Sequence, residues 1–399
     1  MSHNRPQNDG RLYCDHAATS FPKPPGVIEA VVEYMTHNGS SAGRGAYREA
    51  VESGQMVAAT RNAIRKLFNA RPADHVIFTL NGTDALNLGI KSLIEPGDHV
   101  VTTSMDHNSV LRPLSALQSR QGVEWTAVEA DSQTTLINPA DIAAALRSNT
   151  KLVIVSHASN ITGAIQPIAE IAEICRAKRV LYLVDAAQSA GHVPIDFGKL
   201  PIDLLAMPGH KGLQGPSGTG VLLIRAGVET HMKTVREGGT GSASEHPIQP
   251  TALPDRFEPG CHNGAGLAGL LAAVNWLLQQ GVENLRRHEL ELIGRFMTQL
   301  GACKGLTSYG PREPAQRTGV FTLRIEGFEP AELSIILESQ YGVLSRSGLH
   351  CAPFAHRTLG TDRLGGSTRL SFGPLMTAAD VDRVGRALTE IAYNLVGSS

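Results

Sequence analysis

The residues around Lys211 could bind an aldehyde cofactor. Lys211 lies in the glycine-rich segment Met207-Pro208-Gly209-His210-Lys211-Gly212, 26 residues after Asp185. A lysine near glycines is by itself more often a solvated loop residue. Asp185, however, ends an apolar run, and ligands of open parallel sheets bind beyond the carboxyl ends of the strands. A carboxylate there can hold the pyridinium nitrogen of pyridoxal phosphate while the lysine forms a Schiff base with its aldehyde, so we predict a site for this cofactor. Gln188 could donate to the phenolic oxygen.

Two further polar segments follow predicted strands. Asn81-Gly82-Thr83-Asp84 precedes a helix-like run, and backbone N–H groups at a helix N-terminus favour an anion such as phosphate. A helix cap without a ligand explains these residues equally well. Asp106-His107 follows the next strand. His107 could stack on a cofactor ring and move protons, because imidazole titrates near neutrality; taken alone, it would be a loop histidine.

A thiol is the second candidate for chemistry. The run Arg346-Ser347-Gly348-Leu349-His350-Cys351 places a cysteine beside a histidine and close to a glycine. A thiol reacts as its thiolate, and cationic or polar neighbours lower its pKa. A cysteine without such neighbours is more often a buried packing residue. Arg369, on a later predicted strand, could bind a substrate carboxylate through two parallel hydrogen bonds, although a surface ion pair is the commoner role for an arginine.

Short branched-apolar runs alternate with helix-like segments over residues 75–225, a pattern typical of a mainly parallel sheet in an α/β fold. Seven strands are predicted, at 75–80, 99–104, 125–129, 152–156, 180–185, 204–207 and 221–225. From residue 282 the pattern changes to an α+β lobe, with helices at 284–300, 330–341 and 378–395 and strands at 320–325 and 367–372. We therefore predict a large domain over 16–280 and a smaller α+β domain formed by 1–15 with 281–399.

Composition favours small-molecule chemistry. The chain has 399 residues, 36 Lys plus Arg and 37 Asp plus Glu, with no block of like charge to bind nucleic acid or an anionic membrane. Its five cysteines are widely spaced and form no CxxC pair, so we predict neither a disulfide framework nor a metal site. Residues 1–10 lack the pattern of a signal or transit peptide, and no apolar run approaches membrane-span length. These observations predict a cytoplasmic protein.

Taken in order, the motifs resemble the cysteine desulfurase and selenocysteine lyase branch of the class V aminotransferase-like, fold-type I pyridoxal phosphate enzymes. Each motif is weak alone, but together they span about 360 residues in the family's order. The matching segments are Leu12-Tyr13-Cys14-Asp15-His16-Ala17-Ala18-Thr19-Ser20, Gly43-Arg44-Gly45, Asn81-Gly82-Thr83, Asp106-His107, Ser159-Asn160-Ile161-Thr162-Gly163, Asp185-Ala186-Ala187-Gln188, Gly209-His210-Lys211, Phe257-Glu258-Pro259-Gly260, the run ending at Cys351, and Arg369.

The resemblance implies a role for each matching residue at the cofactor. Lys211 would form the Schiff base and move protons, and His107 would stack on the ring. Asp185 would hold the ring nitrogen and Gln188 the phenolic oxygen. The phosphate would be bound by Gly82, Thr83 and His210, together with Thr240 and Cys261 from the other subunit of a homodimer.

The resemblance also implies the reaction. Asn160, Arg346 and Arg369 would bind the carboxylate of L-cysteine, and Cys351 would attack the substrate sulfur, so that a persulfide forms on Cys351 and L-alanine is released. The compact segment around Cys351 resembles that of the desulfurases that pass sulfur to an acceptor protein, which is therefore an expected partner.

Two positions depart from the family pattern. Pro208 stands where members carry Ser or Thr, and Cys261 stands where they carry Thr in the turn that reaches the phosphate across the dimer. Each lost hydroxyl removes a hydrogen bond to a charged group, about 1.5–3 kcal/mol unless it is replaced. Ser217, Thr240 or His262 could supply the replacement, and Cys261 is either a Thr-sized substitute or a second reactive thiol.

Three functions remain open from the sequence. The first is a cysteine desulfurase, and the second is a selenocysteine lyase or another cysteine C–S lyase in which Cys351 positions or protects the released chalcogen. The third belongs to a different class: a catalytically degenerate scaffold or sulfur-relay partner. The intact set of Lys211, Asp185 and His107 argues against the third.

Overall fold

The computed structural model describes residues 10–43 and 45–396, with side chains to 393. Residues 1–9 of the predicted 1–15 segment, Arg44 of the Gly43-Arg44-Gly45 motif and residues 397–399 lie outside the described residues. The large unit is built around a seven-stranded sheet with the order β2-β8-β7-β6-β5-β3-β4. Its strands are β2 (His75–Thr79), β3 (His99–Thr103), β4 (Glu124–Val128), β5 (Thr150–Ser156), β6 (Leu181–Asp185), β7 (Leu204–Pro208) and β8 (Gly220–Ile224).

The sheet is parallel except at one strand. β8 runs antiparallel to both β7 and β2, whereas β3, β4, β5, β6 and β7 pair in parallel. The buried, mostly branched and apolar sequences of these strands explain why both faces of the sheet are covered. The mainly parallel seven-stranded sheet predicted from the sequence is confirmed, with ends that differ by one or two residues.

Helices cover both faces and bury a core on each. They are α1 (Val27–Glu33), which continues as a π-helix (Tyr34–Asn38), α2 (Arg48–Leu67), α3 (Gly82–Lys91), α4 (Asn108–Gln121), α5 (Pro139–Ala145), α6 (Ile168–Lys178) and α7 (Gly264–Gln280). α3 packs closely on the sheet because Gly89 has no side chain: a Cβ there would come within 3.3 Å of Leu183 on β6. This close packing brings the N-terminus of α3 to the carboxyl ends of the strands.

The remaining chain forms a second core around a four-stranded antiparallel sheet with the order β12-β13-β10-β9. Its elements are α8 (Val282–Gly301), β9 (Leu306–Tyr309), β10 (Val320–Ile325), α9 (Pro330–Tyr341), β12 (Arg346–Gly348), β13 (Ser367–Ser371) and α11 (Ala378–Val396). α10 (Pro353–Thr358) lies between β12 and β13 in sequence but buries Ala355 in a core of the large unit. β1 (Leu12–Tyr13) pairs in parallel with β11 (Val343–Leu344). The N-terminal strand thus joins this second core, while the domain boundaries 16–280 and 281–399 stay a prediction.

Within the described ranges, no single helix is both long enough and apolar enough to cross a membrane. α7 and α8 reach that length and apolar character only when they are taken together, and the chain bends by 78° where they meet.

Candidate active site

A cavity of about 260 Å³ opens at the carboxyl ends of the parallel strands, where ligands of α/β sheets bind. β5, β6 and β7 each end at its wall, and the N-terminus of α3 closes one side. Eight residues predicted from the sequence line it: Gly82, Thr83, His107, Asn160, Asp185, Gln188, His210 and Lys211.

Burial perturbs the two charged groups that face each other in this cavity. Desolvation lowers the pKa of Lys211 to about 8, although the carboxylate of Asp185 acts in the opposite direction. Desolvation raises the pKa of Asp185 to about 6, while a 2.9 Å hydrogen bond from the Ala187 N–H and the charge of Lys211 hold it down. Among the described residues, Lys211 Nζ makes no side-chain hydrogen bond. The site therefore holds an amine that is easily deprotonated and a carboxylate that Lys211 influences through its charge but that forms no ion pair within 4.0 Å among the described residues.

His107 is held in one tautomer by the helix that follows it. It is the N-cap of α4, and its Nδ1 accepts a hydrogen bond from the Ser109 N–H at 3.0 Å. An Nδ1 that accepts leaves the proton of the neutral ring on Nε2. Burial, followed by the nearby charge of Lys211, lowers the pKa of His107 to about 4. His107 is thus a neutral Nε2–H donor at the wall of the cavity.

The start of α3 provides the anion cradle. Asn81 caps the helix by accepting from the Asp84 N–H at 2.9 Å, and the N–H groups of the first turn have no partner within the helix. Gly82 lies against Pro208: a Cβ on Gly82 would meet Pro208 Cδ at 3.0 Å. The hydroxyl of Thr83 shares a 2.7 Å hydrogen bond with Ser109 Oγ. Backbone N–H groups and two hydroxyls consequently converge on one corner of the cavity.

The loop that carries Lys211 is fixed from the N-terminal segment. The carbonyl oxygen of His210 accepts from the Ser20 N–H at 2.9 Å, from Ser20 Oγ at 3.0 Å, from Thr19 Oγ1 at 3.1 Å and from Lys23 Nζ at 3.2 Å. His210 Nδ1 also lies 3.1 Å from Thr19 Oγ1. These contacts fix the position of His210, the residue before Lys211, and none of them uses the Lys211 side chain.

Two arginines of the predicted substrate site face each other across a strand pair. Arg346 on β12 and Arg369 on β13 are register partners in the antiparallel sheet. Like charges directly opposite each other are unfavourable unless an anion lies between them. Arg369, which is buried, donates to Asp15 at 2.7 Å and to the Asn160 carbonyl at 3.0 Å. Arg346 is exposed and makes no side-chain hydrogen bond among the described residues, so one positive charge stays available.

Cys351 lies on a tight turn that is tied to the cavity wall. Gly348, His350 and Cys351 have φ angles of 109°, 47° and 60°, and the left-handed region is uncommon for residues other than glycine. The carbonyl of His350 accepts from Asn160 Nδ2 at 2.7 Å, and that of Cys351 accepts from the Asn108 N–H at 2.8 Å. The thiol itself is exposed. The backbone bonds hold the turn beside His107, and one of them uses one of the two side-chain amide protons of Asn160, which was predicted to bind substrate.

Thr240 and Cys261 do not line the cavity within one chain. Thr240 Oγ1 hydrogen bonds to Ser242 Oγ at 3.0 Å. Cys261 is exposed in a separate cleft, where Ser41 Oγ lies 3.8 Å from its sulfur. Its neighbour His262 lies 2.6 Å from the buried Glu258 carboxylate. The residues named as replacements for the lost hydroxyls, Ser217, Thr240 and His262, are absent from the cavity wall that the described residues form.

Sequence reasoning missed several residues of the site. Ser109 bonds to both His107 and Thr83, and the signal for it was its position two residues after His107 at a helix start. Ser156 lines the cavity from the end of β5. Asp15 pairs with Arg369 across 354 positions of sequence, so no local pattern could have revealed that pair.

The cavity fits pyridoxal phosphate in the chemistry of its donors. The Lys211 amine is available to an aldehyde, the Asp185 carboxylate can pair with a protonated ring nitrogen, and the first turn of α3 can bind a phosphate. Gly82 and Pro208, which pack against each other, both line this part of the cavity. Among the described residues, no cluster of three His, Cys, Asp or Glu is placed to hold a metal ion.

The chain is similar to proteins of known family along nearly its whole length. A family model described as Aminotransferase class-V matches residues 12–384. A protein of Methanothermobacter thermautotrophicus described as a probable cysteine desulfurase is 32% identical over 384 residues, which are 96% of this chain and 94% of that protein. A cysteine desulfurase of Yersinia pseudotuberculosis is 30% identical and covers 95% of this chain and 93% of its own.

A solved structure is also similar to this chain along nearly its whole length. The apo structure of a cysteine desulfurase from Thermococcus onnurineus superposes with a TM-score of 0.88 and 29% identity, and the match covers 99% of this chain and 100% of that one. The expected fold is thereby confirmed over the full length of the compared chain.

Proposed function

The chain belongs to the aminotransferase class-V family, and we propose that it is a cysteine desulfurase that uses pyridoxal phosphate to convert L-cysteine to L-alanine. The observation that carries the proposal is the position of His107, which lines both the cavity of Lys211 and Asp185 and the groove that contains the Cys351 thiol. One residue thus joins an amine suited to a carbonyl cofactor to an exposed nucleophile.

Five residues would hold the cofactor. Lys211 would bind it covalently, Asp185 would pair with its ring nitrogen, and Gly82 and Thr83 would receive its phosphate. Gln188 lines the same cavity, with one amide proton donated to the Ala17 carbonyl at 2.8 Å and the second free for the cofactor. When bound, the cofactor supplies an electron sink for the substrate carbon skeleton.

Lys211 would transfer protons during turnover. Its lowered pKa, about 8, lets the Nζ atom accept a proton from the substrate Cα near neutral pH and return it to carbon when alanine forms. The neutral His107 would stabilise the substrate through its Nε2–H and would not compete for this proton, because its pKa of about 4 keeps it a poor base.

Cys351 would take the sulfur. Its thiolate attacks the sulfur of the bound cysteine, an S–S bond forms, and the Cβ–S bond of the substrate breaks. The electron pair of that bond stays with the carbon skeleton, which becomes alanine after protonation, and Cys351 carries the persulfide. Arg346 would bind the substrate carboxylate, since it is the register partner of Arg369 and makes no ion pair with a carboxylate of the described residues.

A homodimer would complete the site. Ile28, Val32 and Met35 form an exposed apolar stripe along α1 and the π-helix that continues it, with exposures of 62, 52 and 69%. An exposed patch of this kind is typical of a protein interface. Cys261 lies beside Ser41, which is in the segment that follows the π-helix. In the proposed dimer the stripe is covered, and Thr240 and Cys261 reach the partner's cavity. A monomer with full activity would contradict this part.

The proposed location is the cytoplasm, a reducing compartment, and this agrees with the free thiols of the five cysteines. Cys14, Cys175, Cys261, Cys303 and Cys351 are all unpaired, as is usual where thiols are kept reduced.

The experiment compares two single thiol variants. Without added thiol, wild type and Cys261→Ser should form a protein-bound persulfide from L-cysteine together with a matching amount of alanine. A small thiol reductant, which releases the outer sulfur as sulfide and restores the Cys351 thiol, should then allow alanine formation to continue. Cys351→Ser should lose the persulfide and nearly all alanine. Full alanine formation by Cys351→Ser would overturn the proposed role of the thiol.

Selenocysteine distinguishes the remaining enzyme function. A selenocysteine lyase would retain cleavage of selenocysteine in the Cys351→Ser variant while turning over cysteine poorly in the wild type. A scaffold without catalysis would show no visible absorption of a bound aldehyde cofactor after incubation with pyridoxal phosphate, and Lys211→Ala provides the matched blank.

A further inference from the structure

A basic groove of about 390 Å³ runs between α3 and α4, outside the cofactor cavity. Its walls carry three cationic side chains, Lys91 of α3 and Arg112 and Arg120 of α4, and it contains the Cys351 thiol. Among the described residues that line it, none is an aspartate or glutamate. The groove is therefore a positively charged surface that includes the proposed sulfur carrier.

These three cations differ from the cations that pair with acidic residues on or next to α3. Asp84 at the start of α3 pairs with Arg236 at 3.1 Å, and Glu95 just after it pairs with Lys233 at 2.7 Å. Within the described part of the chain, Lys91, Arg112 and Arg120 make no ion pair and no side-chain hydrogen bond. Uncompensated cations lining one concave surface attract an anionic ligand.

The spacing of the cations indicates the size of that ligand. Arg112 and Arg120 are eight positions apart on α4, which is about 12 Å along a helix axis at ~1.5 Å per residue. An extended peptide advances about 3.3 Å per residue, so roughly four residues span that distance. A small thiol with one carboxylate would reach only one of these charges. The length fits an acidic polypeptide segment.

Other features of the groove favour a protein over a nucleic acid. Proteins that bind single-stranded nucleic acid stack bases on aromatic side chains, and the described groove wall contains no Phe, Tyr or Trp. The whole chain has a formal net charge of −1, so the positive charge is local and extends over no long stripe.

We propose that this groove docks an acidic segment of the protein that accepts sulfur from Cys351. The inference rests on the proposed function, because that function supplies the persulfide. In the transfer step, a thiolate of the docked protein attacks the outer sulfur of the Cys351 persulfide. A new S–S bond forms on the acceptor, the old S–S bond breaks, and its electron pair returns to Cys351 as thiolate.

Binding is tested first, without turnover, on the full-length holoenzyme. The probe is a fluorescent peptide with two glutamates on each side of a serine, and its affinity is measured by fluorescence anisotropy at low salt. The groove variant Lys91→Gln/Arg120→Gln is compared with Lys178→Gln/Arg312→Gln, which removes two exposed cations elsewhere. Loss of two exposed ion pairs should weaken binding about fivefold in the groove variant, at ~0.5 kcal/mol for each pair. The control should bind like wild type.

Transfer is tested with two thiol peptides on the persulfide-loaded enzyme. One carries two glutamates on each side of a cysteine, and the other carries glutamines instead. Wild type should transfer sulfur to the acidic peptide about fivefold faster than to the glutamine peptide, and the groove variant should transfer it to both at equal rates. Both rates are measured on the same protein sample, so their ratio does not depend on how much of the enzyme is active. Thermal unfolding of the groove variant should match wild type.

Three results would overturn the inference. They are equal rates for the two peptides on wild type, unchanged peptide affinity in the groove variant, and groove-dependent binding of an oligonucleotide of equal charge when the peptide does not bind. If no persulfide forms on Cys351, the proposed function fails, whereas the serine peptide still reports on the groove.

Discussion

Asp185→Asn is predicted to stabilise the cofactor-free protein while it weakens cofactor binding. Asp185 is 5% exposed, and burial raises its pKa from 3.8 to about 6. An asparagine of the same shape keeps an oxygen to accept the Ala187 N–H but carries no charge. The folded protein then no longer holds a buried carboxylate that lacks its cofactor partner.

The pH dependence follows from the direction of this pKa change. Between pH 3.8 and 6 the folded protein binds more protons at Asp185 than the unfolded chain, so its stability falls as pH rises through that window. The loss of folding stability is small below pH 3.8 and complete above pH 6. At about 1.36 kcal/mol per pKa unit, the two-unit change corresponds to ~3 kcal/mol at pH 7.5 and, integrated over the window, ~1.5 kcal/mol at pH 5. Asp185→Asn should recover these amounts.

Urea unfolding of the cofactor-free proteins at pH 5 and pH 7.5 provides the measurement. Asp106→Asn is the matched control, since its buried carboxylate accepts five hydrogen bonds, from Thr102, Thr103 and Ser156. That variant should be destabilised at both pH values, by about 1–3 kcal/mol for each acceptor lost. Asp185→Asn should also gain less stability than wild type when pyridoxal phosphate is added. A variant that is less stable than wild type at pH 7.5, or equally shifted at both pH values, would refute the reasoning.

Four other predictions concern the cavity and its arginines. Burial lowers the pKa of Lys211 to about 8 and only the neutral amine reacts, so the rate at which pyridoxal phosphate loads covalently, followed by absorbance, should rise with pH around a midpoint near 8. Arg346→Gln should raise the KM for L-cysteine about tenfold through loss of a charged hydrogen bond, with unchanged or slightly higher stability in urea, because it removes a like-charge pair. Arg369→Gln should instead destabilise the fold by about 3 kcal/mol, since it leaves its carboxylate partner without a cation. Gly82→Ala should weaken cofactor affinity in a titration without large loss of stability, because its Cβ would lie 3.0 Å from the Pro208 ring in the cradle.

Much of the fold could be predicted because its pattern is local. The strand at 320–325 and the helix at 330–341 have the predicted bounds. Alternating apolar and polar residue types mark the strand, and a proline at the first helical turn marks the helix, both within a short window. β9, β11 and β12 were not predicted. They have two to four residues each, too few for a periodic pattern, and their pairing with distant strands determines them.

In the candidate site, too, some features could be predicted from local sequence and others could not. Asp185 ends a strand and Lys211 follows one, so the rule that ligands bind at strand ends sufficed to place them near each other. The opposition of Arg346 and Arg369 depends on the register of two strands, and the use of the Asn160 amide by the His350 carbonyl depends on a turn. Neither is encoded by spacing along the chain.

The proline before the lysine loop shows how the site accommodates a departure from its family. Pro208 has no hydroxyl for the phosphate, and its N has no proton to donate. Its ring instead packs on Gly82, which brings the first turn of α3 close to the end of β7. Ser109 Oγ lies 2.7 Å from the Thr83 hydroxyl at the same corner and also bonds to His107. A hydroxyl from the start of α4 thus stands at the cradle where the strand end lacks one, and it links the phosphate corner to the histidine beside the Cys351 turn.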